Sequence, residues 1–249
     1  MSAWESADEV RALFEGSRKP LHASTGGRVA DALRDLLIEG RFAPGTQLRE
    51  EVFASGMNVS RNTLREALRL LANEGLVVHE LNRGVFVRQL TAEDIHSIYQ
   101  VREIIELAAV RNAQTHTPMR LSRVRLAVSQ ALAAEEAGDW ALVGTANMNF
   151  HRSIAALAAN VRIDAMIQRT LAELRLAFHV MNPLRDFHAP YLPDNILIAR
   201  HLEAAEPEAA AEVLADYLER AKLQLVAAYE NHAEESSGPN MSVIGASGA

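Results

Sequence analysis

The stretch NVSRNTLREALRLLANEGLV, residues 58–77, combines three arginines at four-residue spacing with a set of leucines. On a helix that turns about 100° per residue, Arg61, Arg65 and Arg69 form one stripe, and the leucines occupy the neighbouring face. Ser60 is a residue type that favours the N-cap, which makes Arg61 the first helical residue. The segment therefore predicts a short helix that packs by its leucines and presents its arginines outward.

The start of this helix is suited to contact nucleic acid. Its first turn has free backbone N–H groups and the positive end of the helix dipole, and both favour a phosphate. Asn62 and Thr63 add short polar side chains that can reach base edges or backbone oxygens. This is the geometry of the recognition helix in a helix-turn-helix. The alternative interpretation is a solvated helix face whose charge is balanced by Glu66 and Glu74.

The sequence on either side of this helix predicts the rest of a small domain. Apolar residues at helical spacing predict two helices before it, over 28–40 and 49–56. Two β-prone runs follow it, at 76–78 and 85–87, and predict a hairpin. The first ninety residues therefore have the order helix, helix, helix, hairpin.

Positive charge is concentrated in this part of the chain. The chain as a whole has a net charge of −7, whereas residues 21–90 contain nine arginines, no lysine and eight acids. Arg83-Gly84 falls at the hairpin tip, where glycine lets the backbone approach DNA closely and the arginine can enter a groove. Arg49 is expected to share a surface with Arg61 and Arg65. A winged helix-turn-helix follows from this arrangement.

The bulk composition is that of a globular protein without disulfides. The chain has 249 residues, of which 49% are hydrophobic and 23% charged, and it contains no cysteine. Thiolate metal sites and disulfide frameworks are thereby excluded. Apolar runs of the roughly 20 residues that span a bilayer are absent, and the first twenty residues lack the apolar core of a signal peptide. A cytoplasmic protein with no membrane partner is the expectation.

After Thr91 the pattern becomes almost entirely helical, so the predicted fold class is mainly α. Helices are predicted near 92–114, 119–137, 139–158, 161–182, 194–205 and 207–231. The predicted organisation is a flexible lead (1–20), a winged helix-turn-helix domain (21–88), a linker (89–92), an all-helical bundle (93–231) and a disordered tail (232–249).

The series PGTQLREEVFA, NVSRNTLREALRLLANEGLV and RGVFVRQL resembles the winged helix-turn-helix of GntR-type bacterial regulators. The segment from TAEDIHSIYQVREIIE onward is similar to the FCD effector domain of the FadR-like branch. This resemblance implies a dimeric, ligand-responsive transcription factor. It implies DNA contacts by Arg49, Arg61, Arg65 and Gly84, with Ser60, Asn62 and Thr63 at neighbouring contact positions. Asn62-Thr63 departs from the commoner Thr-Pro pair, which affects base preference.

The resemblance also implies a position for the effector pocket. Many FCD domains hold a metal ion there with one aspartate and three histidines. In this chain the corresponding residues are Asn147, His151, Asn195 and Tyr217, so one good ligand of four remains. Amide oxygens are weak ligands for Zn²⁺ or Ni²⁺, and a phenol must lose a proton before it binds well. The expectation is a pocket without metal or other cofactor, in which these side chains bind an organic effector directly. His151 could alternatively be a buried, hydrogen-bonded core histidine.

Two arginines are candidates for gripping a carboxylate in this pocket. Arg102 matches an arginine that the family points into the cavity, and guanidinium groups bind carboxylates bidentately. The alternative for Arg102 is an i,i+4 salt bridge to Glu106. Arg175, in the segment LAELRLAF, is a candidate for the same cavity.

These features predict a sequence-specific DNA-binding regulator, a repressor, whose effector is a small organic acid. Its partners are expected to be a second copy of the chain and a near-palindromic operator, because the two-fold symmetry of a dimer is copied into its site. A metal sensor with an atypical site is the first alternative. A helical enzyme is the alternative from another class, although the sequence contains no GxSxG, phosphate-binding glycine loop or HExxH motif.

Overall fold

The computed structural model describes residues 6–14, 24–38, 41–112, 118–181 and 183–237. The N-terminal part contains three helices and a hairpin after a short leading helix, which confirms the predicted order. Its elements are α1 (Ala7–Phe14), α2 (Thr25–Ile38), α3 (Glu50–Gly56), α4 (Arg61–Asn73), β1 (Val77–Glu80) and β2 (Gly84–Val87).

Helix α4 begins where the sequence predicts and for the predicted reason. The Ser60 hydroxyl accepts a hydrogen bond from the backbone N–H of Thr63 at 3.1 Å. The bond satisfies one of the N–H groups that the first turn leaves without an intrahelical partner. Leu64, Leu68 and Leu71 are buried against α2 and α3. The arginine face is thereby turned to solvent.

The hairpin β1–β2 is antiparallel, with a register that runs from Val77 opposite Val87 to Glu80 opposite Gly84. Residues 45–48 add to it as an extended segment. The Leu48 N–H donates to the Val85 carbonyl at 2.8 Å. This connection ties the start of α3 to the hairpin, so the two elements that flank α4 have a fixed separation.

The remaining residues form a helical bundle around α5. Thr91 and Asp94 form a capping box at its start, each side chain bonding the other residue's backbone N–H. Short 3₁₀ turns follow α7, α8 and α9. The helices are α5 (Ala92–Arg111), α6 (Pro118–Glu136), α7 (Trp140–Ala155), α8 (Val161–Ala177), α9 (Leu184–His188), α10 (Leu192–Glu203) and α11 (Pro207–Ser237). The fold is therefore mainly α, as predicted.

The prediction of a flexible lead over 1–20 is wrong for part of that segment. Residues Ala7–Phe14 form α1, and Val10 is fully buried. Val10 packs on Gly56 so closely that a Cβ added there would meet the valine side chain at 2.6 Å. An apolar contact with α3 thus orders the helix. The rest of the predicted lead, 1–5 and 15–20, lies outside the described residues.

The predicted start of the tail at residue 232 is also wrong. Helix α11 continues to Ser237, because helix-forming residues follow Tyr229 without a glycine or proline until Gly238. Residues 238–249 lie outside the described part of the chain. The segment around 182–193 was expected to be a break between helices, yet it contains α9. Burial of Phe187 and Tyr191 in the core accounts for that helix.

The N-terminal part, from α1 to β2, and the helical bundle contact each other through α2 and α8. Gly75, just after α4, has a φ of 75° and lies against the Glu173 carboxylate of α8, which a Cβ on the glycine would approach to 2.5 Å. Within the described residues, no helix is long and apolar enough to cross a membrane.

Candidate functional site

The exposed end of α4 carries the residues that the sequence singled out for DNA contact. The side chains of Arg61 and Arg65 are 61% and 54% exposed. Asn62 is exposed beside them, and Arg49 is exposed at the N-cap of α3. The structure therefore brings a set of polar and positive side chains to one end of the domain.

Both arginines are ion-paired in this state. Arg61 Nη2 lies 2.8 Å from Glu51 Oε1, and Arg65 Nε lies 2.6 Å from Glu50 Oε2. The acids that balance the arginines thus come from α3. The sequence had suggested Glu66 and Glu74, but Glu74 pairs instead with Arg34 of α2. Exposed pairs of this kind contribute little to stability and can exchange for a phosphate at small cost.

The hairpin tip forms the wing. Gly84 has a φ of 110°, a backbone conformation that favours glycine. Arg83 is 70% exposed, stacks its guanidinium carbon 5.3 Å from the centre of the Phe86 ring, and pairs with Glu80. The Gln47 side chain donates to the Arg83 carbonyl at 2.7 Å. Because Gln47 precedes the first residue of α3 by only three positions, this bond joins the wing to the start of the helix-turn-helix.

A chain of hydrogen bonds runs through the core of the bundle. Arg102 Nε donates to Glu106 Oε1 at 2.9 Å, and His151 Nδ1 lies 2.7 Å from Glu106 Oε2. His151 Nε2 lies 3.0 Å from the Tyr217 hydroxyl. All four side chains are at most 1% exposed. The ionised Glu106 accepts from both neighbours, which leaves His151 Nε2 to accept the Tyr217 proton.

The chain continues from Tyr217 to α7 and α10. Asn147 Nδ2 donates to the Tyr217 oxygen at 3.0 Å, and Asn195 Nδ2 donates to Asn147 Oδ1 at 2.8 Å. The four residues that the sequence resemblance predicted for the effector pocket, His151 included, are therefore in one hydrogen-bonded cluster. Elements far apart in sequence supply them, namely α7, α10 and α11.

Glu106 is the network residue that the sequence did not identify as part of the site. Its signal was its position four residues after Arg102, which places the two on one helix face. Burial raises the pKa of Glu106, but the Arg102 charge and the His151 hydrogen bond more than offset this, so the net pKa is lowered. Burial lowers the pKa of His151, although Glu106 opposes the shift. These shifts favour an ionised Glu106 beside a neutral His151.

The cluster does not fit a transition metal. His151 supplies the single imidazole, Asn147 and Asn195 supply amides, and burial raises the pKa of the Tyr217 phenol further above neutrality. Both ring nitrogens of His151 already have hydrogen-bond neighbours. Across the described residues, no group of three or more His, Cys, Asp or Glu side chains could hold a metal ion.

Two polar atoms at the ends of the network have no hydrogen-bond partner among the described residues, Arg102 Nη2 and Asn195 Oδ1. One is a donor and the other an acceptor, and both are buried. Arg102 forms the i,i+4 salt bridge to Glu106 that was the alternative prediction for it. Its Nη2 nevertheless remains available for a further contact. Buried polar atoms without partners are uncommon and mark places where a ligand or water binds.

Arg175 of α8 lies outside this network and contacts the first turns of α7. Its Nη2 is 3.3 Å from both the Ala141 carbonyl and the Thr145 hydroxyl. Beside it is His188 of α9, which is 1% exposed. A Cβ on Gly144 would meet Arg175 Nη1 at 2.6 Å and His188 Nε2 at 2.7 Å.

An open groove of about 420 Å³ lies elsewhere on the bundle, between α6 and α10. Arg125 and Arg200 line it, and Arg125 Nε lies 3.5 Å from Glu203 Oε1. None of the predicted effector residues borders this groove. Substitutions in this groove can therefore serve as controls for substitutions in the buried site.

Comparison with known proteins identifies the family of both parts of the chain. Residues 25–87 match the model of the gntR family of bacterial regulatory proteins, and residues 97–220 match the FCD domain. A solved GntR transcriptional regulator from Rhodococcus sp. RHA1 is 44% identical and has a TM-score of 0.78. The match covers 82% of this chain and 98% of that one.

Two curated relatives extend the comparison. The Nta operon transcriptional regulator of Aminobacter aminovorans is 29% identical over 184 residues, which cover 72% of this chain and 85% of the relative. The gluconate operon transcriptional repressor of Bacillus licheniformis is 44% identical over 84 residues, 34% of each chain. Relatives of both kinds are transcriptional regulators. With its arginine-bearing α4, its wing and the helical bundle behind them, this chain belongs to the GntR family of transcriptional regulators and carries an FCD domain.

Proposed function

We propose that this regulator is a repressor that binds a near-palindromic operator as a homodimer and responds to a small organic anion. The single observation that supports sequence-specific DNA binding most strongly is the exposure of Arg61 and Arg65 at the start of α4, in a domain that also exposes Arg83 at the hairpin tip. The names of relatives support repression, since one is the repressor of a gluconate operon. Access to chromosomal DNA implies a cytoplasmic location.

DNA recognition is tested by fluorescence anisotropy with the intergenic fragment beside the protein's own gene. Arg65→Ala is expected to weaken binding by about 1–3 kcal/mol if the guanidinium reads a base, and Arg61→Ala to weaken it and reduce its salt dependence. Arg69→Ala is the matched control, because Arg69 is exposed on the same stripe but lies further from the start of the helix. Unchanged affinity in both Arg61→Ala and Arg65→Ala would show that α4 does not read the operator.

Arg49, Ser60, Asn62, Thr63 and Gly84 complete the proposed DNA surface. Ser60 has a structural part as well, because its hydroxyl caps α4. A Ser60→Ala protein is therefore expected to lose both helix stability and DNA affinity, whereas Asn62→Ala should change base preference with the fold intact. Selection of operators from random sequence separates these effects.

The effector is proposed to bind in the bundle near the hydrogen-bonded cluster. The unpartnered Arg102 Nη2 and Asn195 Oδ1 support this, since a ligand with acceptor and donor groups would satisfy both. Asn147, His151 and Tyr217 hold these ends in place, and Arg175 contacts Ala141 and Thr145 in the first turns of α7. Binding changes DNA affinity only if the ligand prefers one relative placement of the two DNA-binding domains.

A metal-dependent sensor is the alternative, and the donor set gives it no support. Titration calorimetry with Zn²⁺ and Ni²⁺ tests the metal-free proposal. Stoichiometric, sub-micromolar binding that disappears in His151→Ala would contradict it. Since relatives of this chain are transcriptional regulators, we propose no enzymatic activity.

Dimer formation is proposed to involve the bundle. Met119 and Leu126 of α6 have exposed fractions of 72% and 56%, and their spacing of seven residues places both on one helix face that a partner chain would cover. Sedimentation of the full chain, alone and with DNA, measures the stoichiometry. One chain per operator fragment, or a footprint without two-fold symmetry, would contradict this part of the proposal.

A further inference from the structure

We propose that Gly144, Arg175 and His188 form a subsite that binds the carboxylate group of the effector. The inference rests on the proposed effector response and assigns residues to it. Three helices supply the subsite, α7 through Gly144, α8 through Arg175 and α9 through His188.

His188 of α9 is a buried imidazole. It is 1% exposed, and neither Nδ1 nor Nε2 has a partner among the described residues. Its ring is instead held edge-on by Phe178 and Phe187, with centroid distances of 5.1 Å to each. A polar ring that is fixed by aromatic packing but lacks a polar partner is costly to bury. A ligand oxygen would remove that cost.

Gly144 explains how His188 and Arg175 reach the same place. Glycine is unfavourable inside a helix, and α7 carries Gly144 in its first half. Arg175 Nη1 and His188 Nε2 both lie within 2.7 Å of the point that a Cβ of residue 144 would occupy. Any other residue would therefore push the two nitrogens off the helix surface. The glycine is required for the convergence of one cationic donor and one imidazole.

The chemistry of these groups suits a carboxylate. The Ala141 carbonyl and the Thr145 hydroxyl, each 3.3 Å from Nη2, orient the Arg175 guanidinium. A carboxylate can accept from Arg175 with one oxygen and from His188 with the other. The two oxygens of a carboxylate match the two nitrogens that converge here, Arg175 Nη1 and His188 Nε2. A phosphate dianion is larger and more strongly hydrated, so its burial among these helices costs more than that of a carboxylate.

The subsite adjoins the hydrogen-bonded cluster. Gly144, Asn147 and His151 are spaced by three and four residues, so they share one face of α7. A ligand whose carboxylate lies at Gly144 can therefore extend along that face toward Asn147. Its remaining polar groups would meet the end of the network at Asn195, whose amide bonds Asn147 at 2.8 Å.

Carboxylate binding at His188 should be coupled to proton uptake. Burial, followed by the Arg175 charge and then His151, lowers the pKa of His188 to about 3, so the imidazole is neutral in the free protein. Arg175 of α8 and His151 of α7 are the charged or titratable groups that act on it from the packed helices. A bound anion offsets their effect and favours the imidazolium. Carboxylate affinity should consequently fall as the pH rises from about 3 toward the higher pKa of His188 in the complex, by up to about tenfold per pH unit.

The experiment uses full-length protein with ¹⁵N-labelled histidine and sodium acetate as the probe, followed by NMR. His188→Gln identifies the His188 ring signals. We expect a saturable shift of those signals, with a millimolar dissociation constant that is appropriate for a four-atom fragment, and weaker binding at pH 8 than at pH 6. Sodium phosphate is the second probe and should bind more weakly than acetate.

Variants complete the test. Arg175→Gln should weaken acetate binding at least tenfold, and Gly144→Ala should do the same by displacing both nitrogens. Arg200→Gln, in the open groove between α6 and α10, should bind acetate like the unmodified protein. Absence of a saturable His188 shift at about 100 mM acetate, an undiminished shift in Arg175→Gln, or tighter binding of phosphate would each overturn the carboxylate subsite.

Operator binding separates this inference from the proposed function. His188→Gln and Arg175→Gln proteins should bind operator DNA normally in the absence of anion, which also shows that they fold. If the unmodified protein binds operator DNA but its His188 signals do not respond to acetate, only the subsite proposal is contradicted. If the unmodified protein does not bind operator DNA, the proposed function is contradicted instead.

Discussion

Glu173 Oε2 lies 3.1 Å from Arg88 Nη1, so an ion pair links α8 of the bundle to the end of the DNA-binding domain. Arg88 also pairs with Asp94 at the start of α5, at 2.7 Å. The same α8 carries Arg175 two residues later, on roughly the opposite side of the helix. Helix α8 therefore contacts the DNA-binding domain with one side and the proposed carboxylate subsite with the other.

Glu173→Gln is expected to loosen this contact without unfolding either domain. The pair is about a quarter exposed, so its loss should cost no more than about 1 kcal/mol, or about fivefold in local opening. Hydrogen exchange of the backbone amides in 88–95 measures the opening. Glu203→Gln, which removes a carboxylate of the bundle surface, is the control. Equal protection in both variants would mean that Glu173 does not hold the domains together.

Glu50→Gln with Glu51→Gln is expected to strengthen DNA binding. The two carboxylates pair with Arg65 and Arg61 and would lie near DNA phosphates when the arginines bind there. Their removal frees both arginines and removes two negative charges, for a gain of about 0.5–1 kcal/mol per pair. Anisotropy titrations at two salt concentrations provide the measurement. A Glu66→Gln protein serves as a control for the change of charge alone. Weaker DNA binding by the double variant would contradict the idea that Arg61 and Arg65 exchange their carboxylate partners for DNA phosphates.

Tyr217→Phe is expected to destabilise the bundle by about 1–3 kcal/mol. The change removes the hydroxyl that donates to His151 Nε2 and accepts from Asn147, and it leaves both partners buried. Urea unfolding followed by circular dichroism measures the loss. Tyr229→Phe on the same helix, at a partly exposed position, should stay within about 0.5 kcal/mol of the unmodified protein. An equal loss in the two variants would argue against a special role for the network.

Acidification is expected to destabilise the protein as the pH falls from about 6.5 toward 3. Burial lowers the pKa of His188 to about 3 in the folded protein, whereas an unfolded histidine titrates near 6.5. The unfolded state therefore binds more protons in this range, and the free energy of unfolding falls as the pH falls, by up to about 1.4 kcal/mol per pH unit. His151, whose pKa is also lowered, contributes in the same direction.

Urea unfolding of His188→Gln at several pH values checks the sign and the size of this effect. In this variant, the free energy of unfolding should depend less steeply on pH, with a slope smaller by up to about 1.4 kcal/mol per pH unit. His96→Gln, at an exposed position of α5, is the control for removing one imidazole. An identical slope in His188→Gln and the unmodified chain would show that His188 is protonated in the folded protein.

Much of the DNA-binding domain was predictable because its signals are short-range. The Ser60 cap depends on a residue three positions later, and the leucine face of α4 depends on spacings of three and four residues. The hairpin turn followed from a short segment around Gly84. Interactions between close neighbours along a chain are visible in its sequence, so the elements and the exposed arginine face could be inferred before any contact was known.

The partners of the charged and buried residues depended on which helix faces meet across the core. Nothing near Arg61 or Arg65 in the sequence pointed to Glu51 and Glu50 as their partners. The same is true of the bond between His151 and Glu106, residues 45 positions apart. The meeting of His188 with Gly144 needed α9, a helix formed by the burial of aromatic side chains within a segment that had been predicted as a break. Side-chain composition and spacing specify the helices, whereas long-range packing of their faces determines which polar groups share the interior.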